Sequence, residues 1–589
     1  MKSTQVVSRT RVRGQAAVAA ARPQSVDAAY LMLEKGGNAV DAAVAAALVA
    51  GVVEPMETTL AGSGFMLVGE PGGPVHSVEF GPRAPLAAHE TMYEIDEHRQ
   101  IDRGLGVSVV VGDKNVEGAL ATGVPATLRG LLDAHERFGS LPRATVMQPA
   151  VAVAAEGFPA DAYFALEALE HLRALRRDHG ASRSFLLEGL PPTPAHLGAS
   201  TLGTPSQIKQ AALAETLNRI AQRGVGEFYG GELGRRFVQT VREQGGILSE
   251  QDLISVQTCV MAPRQLRFRD CEVWAPNSPC GALTQLQILQ TWMALYPDTP
   301  PLDDTPERLE HLAQASWHAF ADRYHWLGDP QFVPVPENAL ISPAYARHLA
   351  ERIRAGDQPF RYASNEAPWN YFAGRAAHDP WAFNDSTPDS PVKWHPAGST
   401  EPTTGTTHIS VIDRNGMSVS LTHTAANHWG AKVVCERTGL LLDAAMGWFN
   451  ARTNAANSIA GGKRPLANMG PIMLTRQGSP FAAVGAPGGR RIINAVVQII
   501  LNLVERKMDA VEACAAPRID ASGTTLLASE RLASVLREAP GLSNVVRYVE
   551  EQHQGYGYEL ARPVLAVREA DNVAATIDPF SKGYARSMN

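Results

Sequence analysis

Hydrophobic and polar positions divide the chain into segments of clearly different period. After Gly36-Gly37-Asn38, the run from Ala39 to Leu48 is apolar or small almost all round. A helix with no polar stripe is predicted to lie buried between layers. Leu213 to Arg223 and Phe237 to Gln244 instead carry one apolar face each, and Gly245-Gly246 is a stop signal after the second. Residues 307–329 repeat apolar, His and Trp positions at helical spacing, which reads as packing rather than ligation. Ile492 to Val504 is a strongly apolar helix preceded by Gly488-Gly489. His408 to Ile412 and Ser418 to Thr424 are β-rich with partial alternation, and Arg414-Asn415-Gly416 between them predicts a hairpin. From Asp357 to Thr404 the periodicity fades among Pro368, Pro380, Pro388, Pro391, Pro396 and Pro402. A loop of that length inside a compact domain is usually functional, although Trp369, Trp381 and Trp394 also suit the covering of core.

A length of 589 residues exceeds one ordinary core, so several domains or one large layered sandwich are expected. With 45% hydrophobic and 19% charged residues, the composition is that of a soluble enzyme. The net charge of −7 is spread without a long run of one sign, which argues against nucleic acid and anionic membrane as partners. Five scattered cysteines, none in a CxxC, argue against a disulfide scaffold or zinc site and fit a reducing compartment. Residues 16–21 are too short and too lightly apolar for a secretory h-region, and Arg22-Pro23 ends them, so a cytoplasmic location is expected. No metal-ligand spacing, dinucleotide fingerprint or P-loop is present, so neither metal nor cofactor is expected.

The hairpin carries the candidate chemistry. If Gly416 is left-handed in a three-residue loop, Asp413 faces Met417, and counting outward sets Thr406 opposite Thr424. Opposed residues share a face with Cβ atoms roughly 5 Å apart. A threonine hydroxyl attacks carbonyls only with a base beside it, and the free α-amine of an N-terminal threonine is one solution. That amine titrates near pH ~7.7–8.0, close to working pH. An internal Thr406 gains it only when the bond from Gly405 is cut, and glycine there gives the hydroxyl room to reach the carbonyl.

Thr406-Thr407-His408-Ile409-Ser410-Val411, followed by Asp413, Gly416 and Thr422-His423-Thr424, resembles the small-subunit start of the γ-glutamyltransferase family. Gly36 to Leu48, Val53-Glu54-Pro55 and Gly62-Ser63-Gly64-Phe65-Met66 resemble its large-subunit start, and the likeness runs almost end to end. The resemblance implies an N-terminal-nucleophile hydrolase, an α/β (α+β) chain folded as a four-layer αββα sandwich. It further implies a precursor cut between Gly405 and Thr406, with 1–405 the large subunit and 406–589 the small one, together one catalytic domain. Thr406 is then the nucleophile, Thr424 orients it, and the Gly488 and Gly489 amides form the oxyanion hole. A homodimer of such heterodimers is left open. Asp41 is read as a buried carboxylate bonded to backbone, not as a catalytic group.

The recognition shell departs from the family. Glu90 stands where relatives carry the Arg for the glutamyl α-carboxylate, and Lys463-Arg464-Pro465-Leu466 is followed by Ala467-Asn468 instead of Ser-Ser. Ala445 and Trp448 replace amine-binding acids, and the asparagine after the second threonine is Asn427, one step late. Removing a bidentate Arg from a buried carboxylate typically costs several kcal/mol. The expectation is an amidohydrolase or acyltransferase of a small-molecule amide with a non-standard acyl pocket touching Asn427, Trp448, Asn468 and Glu90. The alternatives are a true γ-glutamyl hydrolase or transferase, a small-amide hydrolase of the oxamate amidohydrolase or cephalosporin acylase kind, and an uncleaved binding protein.

Overall fold

The computed structural model describes residues 11–96, 109–194, 206–356 except 278, 379–384 and 405–589 except 524, 540, 543–544, 552–558 and 582. Most of the proline-rich stretch Asp357 to Thr404, and with it Trp369 and Trp394, lies outside the described residues.

Two seven-stranded antiparallel sheets stack face to face. The first runs Tyr584–Met588, Ala16–Ala20, Thr407–Ile412, Ser418–Thr424, Ser63–Gly69, Val75–Phe80, Cys259–Met261. The second runs Arg11–Gly14, Asn572–Ile577, Val564–Glu569, Ser479–Gly485, Ile472–Arg476, Cys271–Ala275, Arg264–Phe268. Helices Pro23–Glu34 and Ala39–Val53 cover the first sheet, and Ala510–Ala515 and Arg491–Val504 pack on the second. This is the expected αββα sandwich. Both sheets combine strands from before and after Gly405, so the two portions share one framework of hydrogen bonds.

The partial alternation of the hairpin now has a cause. Every residue of Thr407–Ile412 and Ser418–Thr424 is buried, because one face meets helix Ala39–Val53 and the other meets the second sheet. Ile409, Val411, Val419 and Leu421 are the apolar set. The opposite set is small and polar: Ser410 Oγ donates to the Val564 carbonyl at 3.2 Å and Ser420 Oγ to the Val484 carbonyl at 3.0 Å. Successive strand side chains point to opposite faces, so the polar set sits between the sheets.

Helix Ala39–Val53 is buried along its whole length, as its uniform apolar pattern requires. Asn38 caps it, accepting from the amides of Val40 and Asp41, while Asp41 accepts from the Asn38 amide at 2.8 Å. Asp41 also receives the amides of Ser140 and Leu141, which is the structural role read for it. Burial works against its charge, but these bonds and those of His135 and the Ser140 hydroxyl outweigh it and hold the carboxyl down at about 2. The expected amphipathic helices are Ala211–Arg223 and Glu232–Glu243, and the long one is Pro306–Trp326, capped by Thr305.

Candidate active site

The hairpin turns as its sequence requires. Gly416 has φ 94°, and the Asp413 amide donates to Met417 O at 2.9 Å. The Asp413 carboxylate receives the amides of Asn415 and Met417, and also that of Ala39 at 3.0 Å, which fastens the hairpin tip to the N-terminus of the buried helix. Pairing runs from Ile412↔Ser418 to Thr407↔His423, so the next position outward sets Thr406 beside Thr424. Their hydroxyl oxygens are 3.4 Å apart. Thr406 Oγ1 donates to the Gly405 carbonyl at 2.7 Å, Thr424 Oγ1 donates to the same oxygen at 2.5 Å, and the Ala426 amide donates to Thr424 Oγ1 at 2.7 Å. Thr406 is 3% exposed and Thr424 fully buried. A Cβ on Gly405 would lie 2.5 Å from Met56 O and 3.0 Å from Glu57 Cα, so the position has room for glycine alone. The arrangement holds a hydroxyl against one carbonyl with a second hydroxyl already donating to that oxygen, which suits charge developing there.

The Thr406 nitrogen has its own partner. Its N–H donates to Glu57 Oε2 at 2.9 Å, and Tyr163 Oη, from helix Ala162–Glu170, donates to Glu57 Oε1 at 2.5 Å. The guanidinium of Arg562 lies 5.3 Å over the Tyr163 ring and that of Arg22 lies 5.5 Å from it. Burial pushes the Glu57 carboxyl up, while His428, Arg562, Tyr163 and the Thr406 amide pull it back. Behind it, His428 Nδ1 meets Glu167 Oε2 at 2.5 Å; burial disfavours the imidazolium, but this carboxylate outweighs burial and raises His428 above its ordinary value. Sequence reasoning missed Glu57, Tyr163, His428, Glu167 and Arg562. One signal was available: Glu54 and Glu57 stand in the short link between a fully apolar helix and a core strand, where acids are costly.

Gly488 and Gly489 lie between strand Ser479–Gly485 and helix Arg491–Val504, with φ of 140° and 61°. Their carbonyls accept from Arg491 and Ile492, and among the described residues no bond occupies their amides. A Cβ on Gly488 would meet Ala561 at 2.6 Å, and the neighbouring Arg562 amide donates to Pro487 O. Across the sheets, the His408 ring packs on Gly485, and Ser420, paired with Ser410, reaches Val484. The direction that leads from Ser410 to Thr406 on one sheet therefore leads from Val484 toward Gly488 on the other.

The remaining site residues lie on segments that pack around the end of the hairpin. Asn427 follows the hairpin, and its Oδ1 accepts from the His428 amide at 3.0 Å. Trp448 is buried in the short helix Ala445–Trp448, tied to the hairpin end by the Ala444 amide donating to Ala425 O at 3.0 Å. Asn468 Oδ1 accepts from the buried Arg323 at 2.9 Å, so that oxygen is committed to a structural cation. Glu90 is exposed, on a loop that Ala84, Ala88 and Tyr93 pack against Met446 and Phe449. Its charge is felt by Lys463. No contact among the described residues joins it to Thr406.

Residues 25–585 match the family model "Gamma-glutamyltranspeptidase". The chain belongs to that family. The glutathione hydrolase proenzyme of Pseudomonas aeruginosa is 31% identical over 516 residues, 85% of this chain and 82% of that protein. The acylase ACY 1 proenzyme of Pseudomonas sp. strain SE83 is 29% identical over 518 residues, 88% of this chain and 84% of that protein. The crystal structure of a cephalosporin acylase from Bacillus halodurans superposes with a TM-score of 0.81 at 20% identity, over 100% of this chain and 99% of that one, which shows the shared fold. This member of the γ-glutamyltranspeptidase family is accordingly an enzyme of the N-terminal-nucleophile hydrolase and transferase class.

Proposed function

We propose that the chain is a self-cleaving amidohydrolase or acyltransferase whose nucleophile is Thr406, and whose acyl pocket is not built for a γ-glutamyl group. The observation that carries this reading is the shared carbonyl: the hydroxyls of Thr406 and Thr424 both end on Gly405 O. In the precursor, Thr406 Oγ1 adds to the Gly405 carbonyl carbon and Thr424 steadies the oxygen that gains charge. Once the bond is cut, the freed α-amine of Thr406 takes the hydroxyl proton as Oγ1 attacks a substrate amide. The Gly488 and Gly489 amides are the oxyanion donors of that second reaction, supported by their left-handed turn and unspent N–H groups. The acyl group then passes to water or to an amine.

A small or flat acyl group is the preferred substrate feature. Buried Trp448 stands at the end of the hairpin, and Asn468 is engaged by Arg323. Exposed Glu90 occupies the position where the family resemblance calls for a carboxylate-binding Arg. An acylase proenzyme stands beside glutathione hydrolase proenzymes among the relatives, which supports an amide substrate without fixing it as glutathione. A cytoplasmic location belongs to the same proposal, supported by five cysteines that are all unpaired, four of them buried.

Intact-mass spectrometry of purified protein beside Thr406→Ala tests the reading. Two fragments for wild type, the smaller beginning at Thr406, and one unbroken chain for the variant are expected. A wild-type chain as unbroken as the variant overturns it in favour of a binding protein. Substrate screening then begins with oxamate and a γ-glutamyl anilide, and release of glutamate from the latter overturns the pocket assignment.

A further inference from the structure

We propose that Glu57 is a catalytic residue of this chain, protonating the Thr406 nitrogen when the chain cuts itself and holding the resulting α-amine through turnover. The inference rests on Thr406 being the nucleophile.

The geometry is built for one atom. Glu57 is 2% exposed, and its two oxygens divide their duties: Oε2 receives the Thr406 N–H at 2.9 Å and Oε1 receives the Tyr163 hydroxyl at 2.5 Å. Its backbone is pinned to the strand that carries Thr424. The Ala425 amide donates to Glu57 O at 3.1 Å, and the Trp429 amide donates to Met56 O at 3.2 Å. Gly405 packs directly on Glu57 Cα. The carboxylate, the scissile carbonyl and both hydroxyls are therefore fixed by the same few residues. A buried carboxylate is costly unless it is paired, and an amide N–H is a modest partner for one. An amine nitrogen, able to accept a proton and then carry charge, is a far better one.

The proton balance follows. In the precursor Oγ1 forms a bond to the Gly405 carbon, and its proton passes to the Gly405 oxygen it already faces. That carbon becomes tetrahedral, and the Thr406 nitrogen recovers its lone pair. As the C–N bond breaks, the electron pair goes to nitrogen, which takes the proton of the Glu57 carboxyl. The proton on the former carbonyl oxygen leaves to water. An ester, an amine and a Glu57 carboxylate remain, and water hydrolyses the ester. In turnover the amine accepts the Oγ1 proton, and the carboxylate stabilises the ammonium until its proton goes to the departing amine. Tyr163 holds Glu57 as Glu57 holds the nitrogen, the logic of a base oriented by a third group.

Burial favours the protonated Glu57 that the first step needs. The charged and titratable groups facing it are Arg22, Glu54, Tyr163, Glu167, His428 and Arg562. Arg562 and His428 favour the carboxylate that the second step needs.

The test follows cleavage of freshly translated full-length chain by intact mass from about pH 5 to about pH 9. Proton transfer by a placed side chain contributes typically ~10²–10⁴-fold, so Glu57→Gln is expected to cut at least about 100-fold more slowly, with part restored in Glu57→Asp. Tyr163→Phe removes a donor that favours the carboxylate, so the alkaline limb of cleavage is expected to move to higher pH. Given time to mature, Glu57→Gln is expected to show its acid limb of kcat/KM at lower pH, because its ammonium has lost a carboxylate. Cleavage of Glu57→Gln at the wild-type rate, with Thr406→Ala uncut, overturns the role of Glu57 and leaves the nucleophile standing. Cleavage of Thr406→Ala at the same bond overturns both. Where Glu57→Gln lacks the wild-type circular dichroism, Tyr163→Phe decides, and an unmoved alkaline limb overturns the proposal.

Discussion

Thr406 and Thr424 are bound to each other chiefly through a third atom. Their hydroxyls lie 3.4 Å apart, yet each makes a shorter bond, 2.7 Å and 2.5 Å, to the carbonyl oxygen of Gly405. In the proposed self-cleavage Thr424 would thus serve the Gly405 carbonyl as well as Thr406. Loss of one preorganised oxyanion donor costs ~3 kcal/mol, or about 10²–10³ in rate. Thr424→Ala is therefore expected to cut itself at about one hundredth of the wild-type rate or less, with Thr424→Ser close to normal. A time course by denaturing gel checks this, and equal rates for Ala and Ser would show that the hydroxyl does nothing at the carbonyl.

Gly405 is set by space. With Met56 O at 2.5 Å from an added Cβ and Glu57 Cα at 3.0 Å, Gly405→Ala must push backbone against backbone. Overpacking of this kind typically costs 1–3 kcal/mol. The displaced atoms also carry the Thr406 bond to Glu57. The expected outcome is a chain that accumulates uncut and melts only about 1–2 °C lower, because the unfolding entropy of 589 residues is large. Normal cutting by Gly405→Ala would mean that the precursor tolerates movement at this position.

How much of this was legible in the sequence depends on the range of the interaction. The Asn415-Gly416 turn fixes register locally, so the Thr406–Thr424 juxtaposition could be counted out from it. The nearly unbroken apolar pattern of Ala39 to Leu48 gave the burial of this helix, and the one acid in it, Asp41, was legible as a carboxylate bonded to backbone, whereas the cap by Asn38 was not read. Glu57, Tyr163 and Arg562 could not be grouped because they meet only in three dimensions: their contacts join positions separated by more than 100 residues, and the one local signal, two acids after an apolar helix, names no partner. Glu90 was read from alignment position alone, and the fold places it exposed on a loop that packs against Met446 and Phe449.

Two buried histidines, one on each face of the hairpin, make its packing acid-sensitive. His408 bridges Thr422 Oγ1 and Ser410 Oγ beneath Gly485, and His423 meets Thr58 Oγ1 at 2.8 Å. Burial holds both down at about 3, with mutual repulsion adding to the shift of His408. Because the folded values lie below an unfolded value near 6.5, the unfolded chain binds more protons in between. Their stabilisation is complete above about pH 6.5 and is lost progressively as pH falls toward about 3. Each histidine is expected to cost roughly 2 kcal/mol at about pH 5 relative to neutral pH. Urea midpoints of wild type and His423→Gln, at neutral pH and near pH 5, check the sign: the variant should lose about half as much. An equal loss would assign the acid sensitivity to other groups.

Trp448 tests the pocket separately from the nucleophile. Its ring is 5% exposed, and its indole N–H has no hydrogen-bond partner among the described residues. A buried donor left unpaired costs roughly 1–3 kcal/mol, a cost that bulk alone can justify if the ring limits the acyl group. Trp448→Phe keeps most of that bulk and relieves the orphaned N–H, so it is expected to be at least as stable as wild type and to keep its acyl preference. Trp448→Ala opens a cavity at a typical cost of about 3–5 kcal/mol, so its rates are compared only after circular dichroism establishes the fold. In the folded variant, kcat/KM for the small acyl substrate is expected to fall while that for a bulkier acyl amide rises, with self-cleavage unchanged. The ratio of the two kcat/KM values is the deciding measurement: if it stays constant across wild type, Phe and Ala, Trp448 only fills core and the acyl group is selected elsewhere.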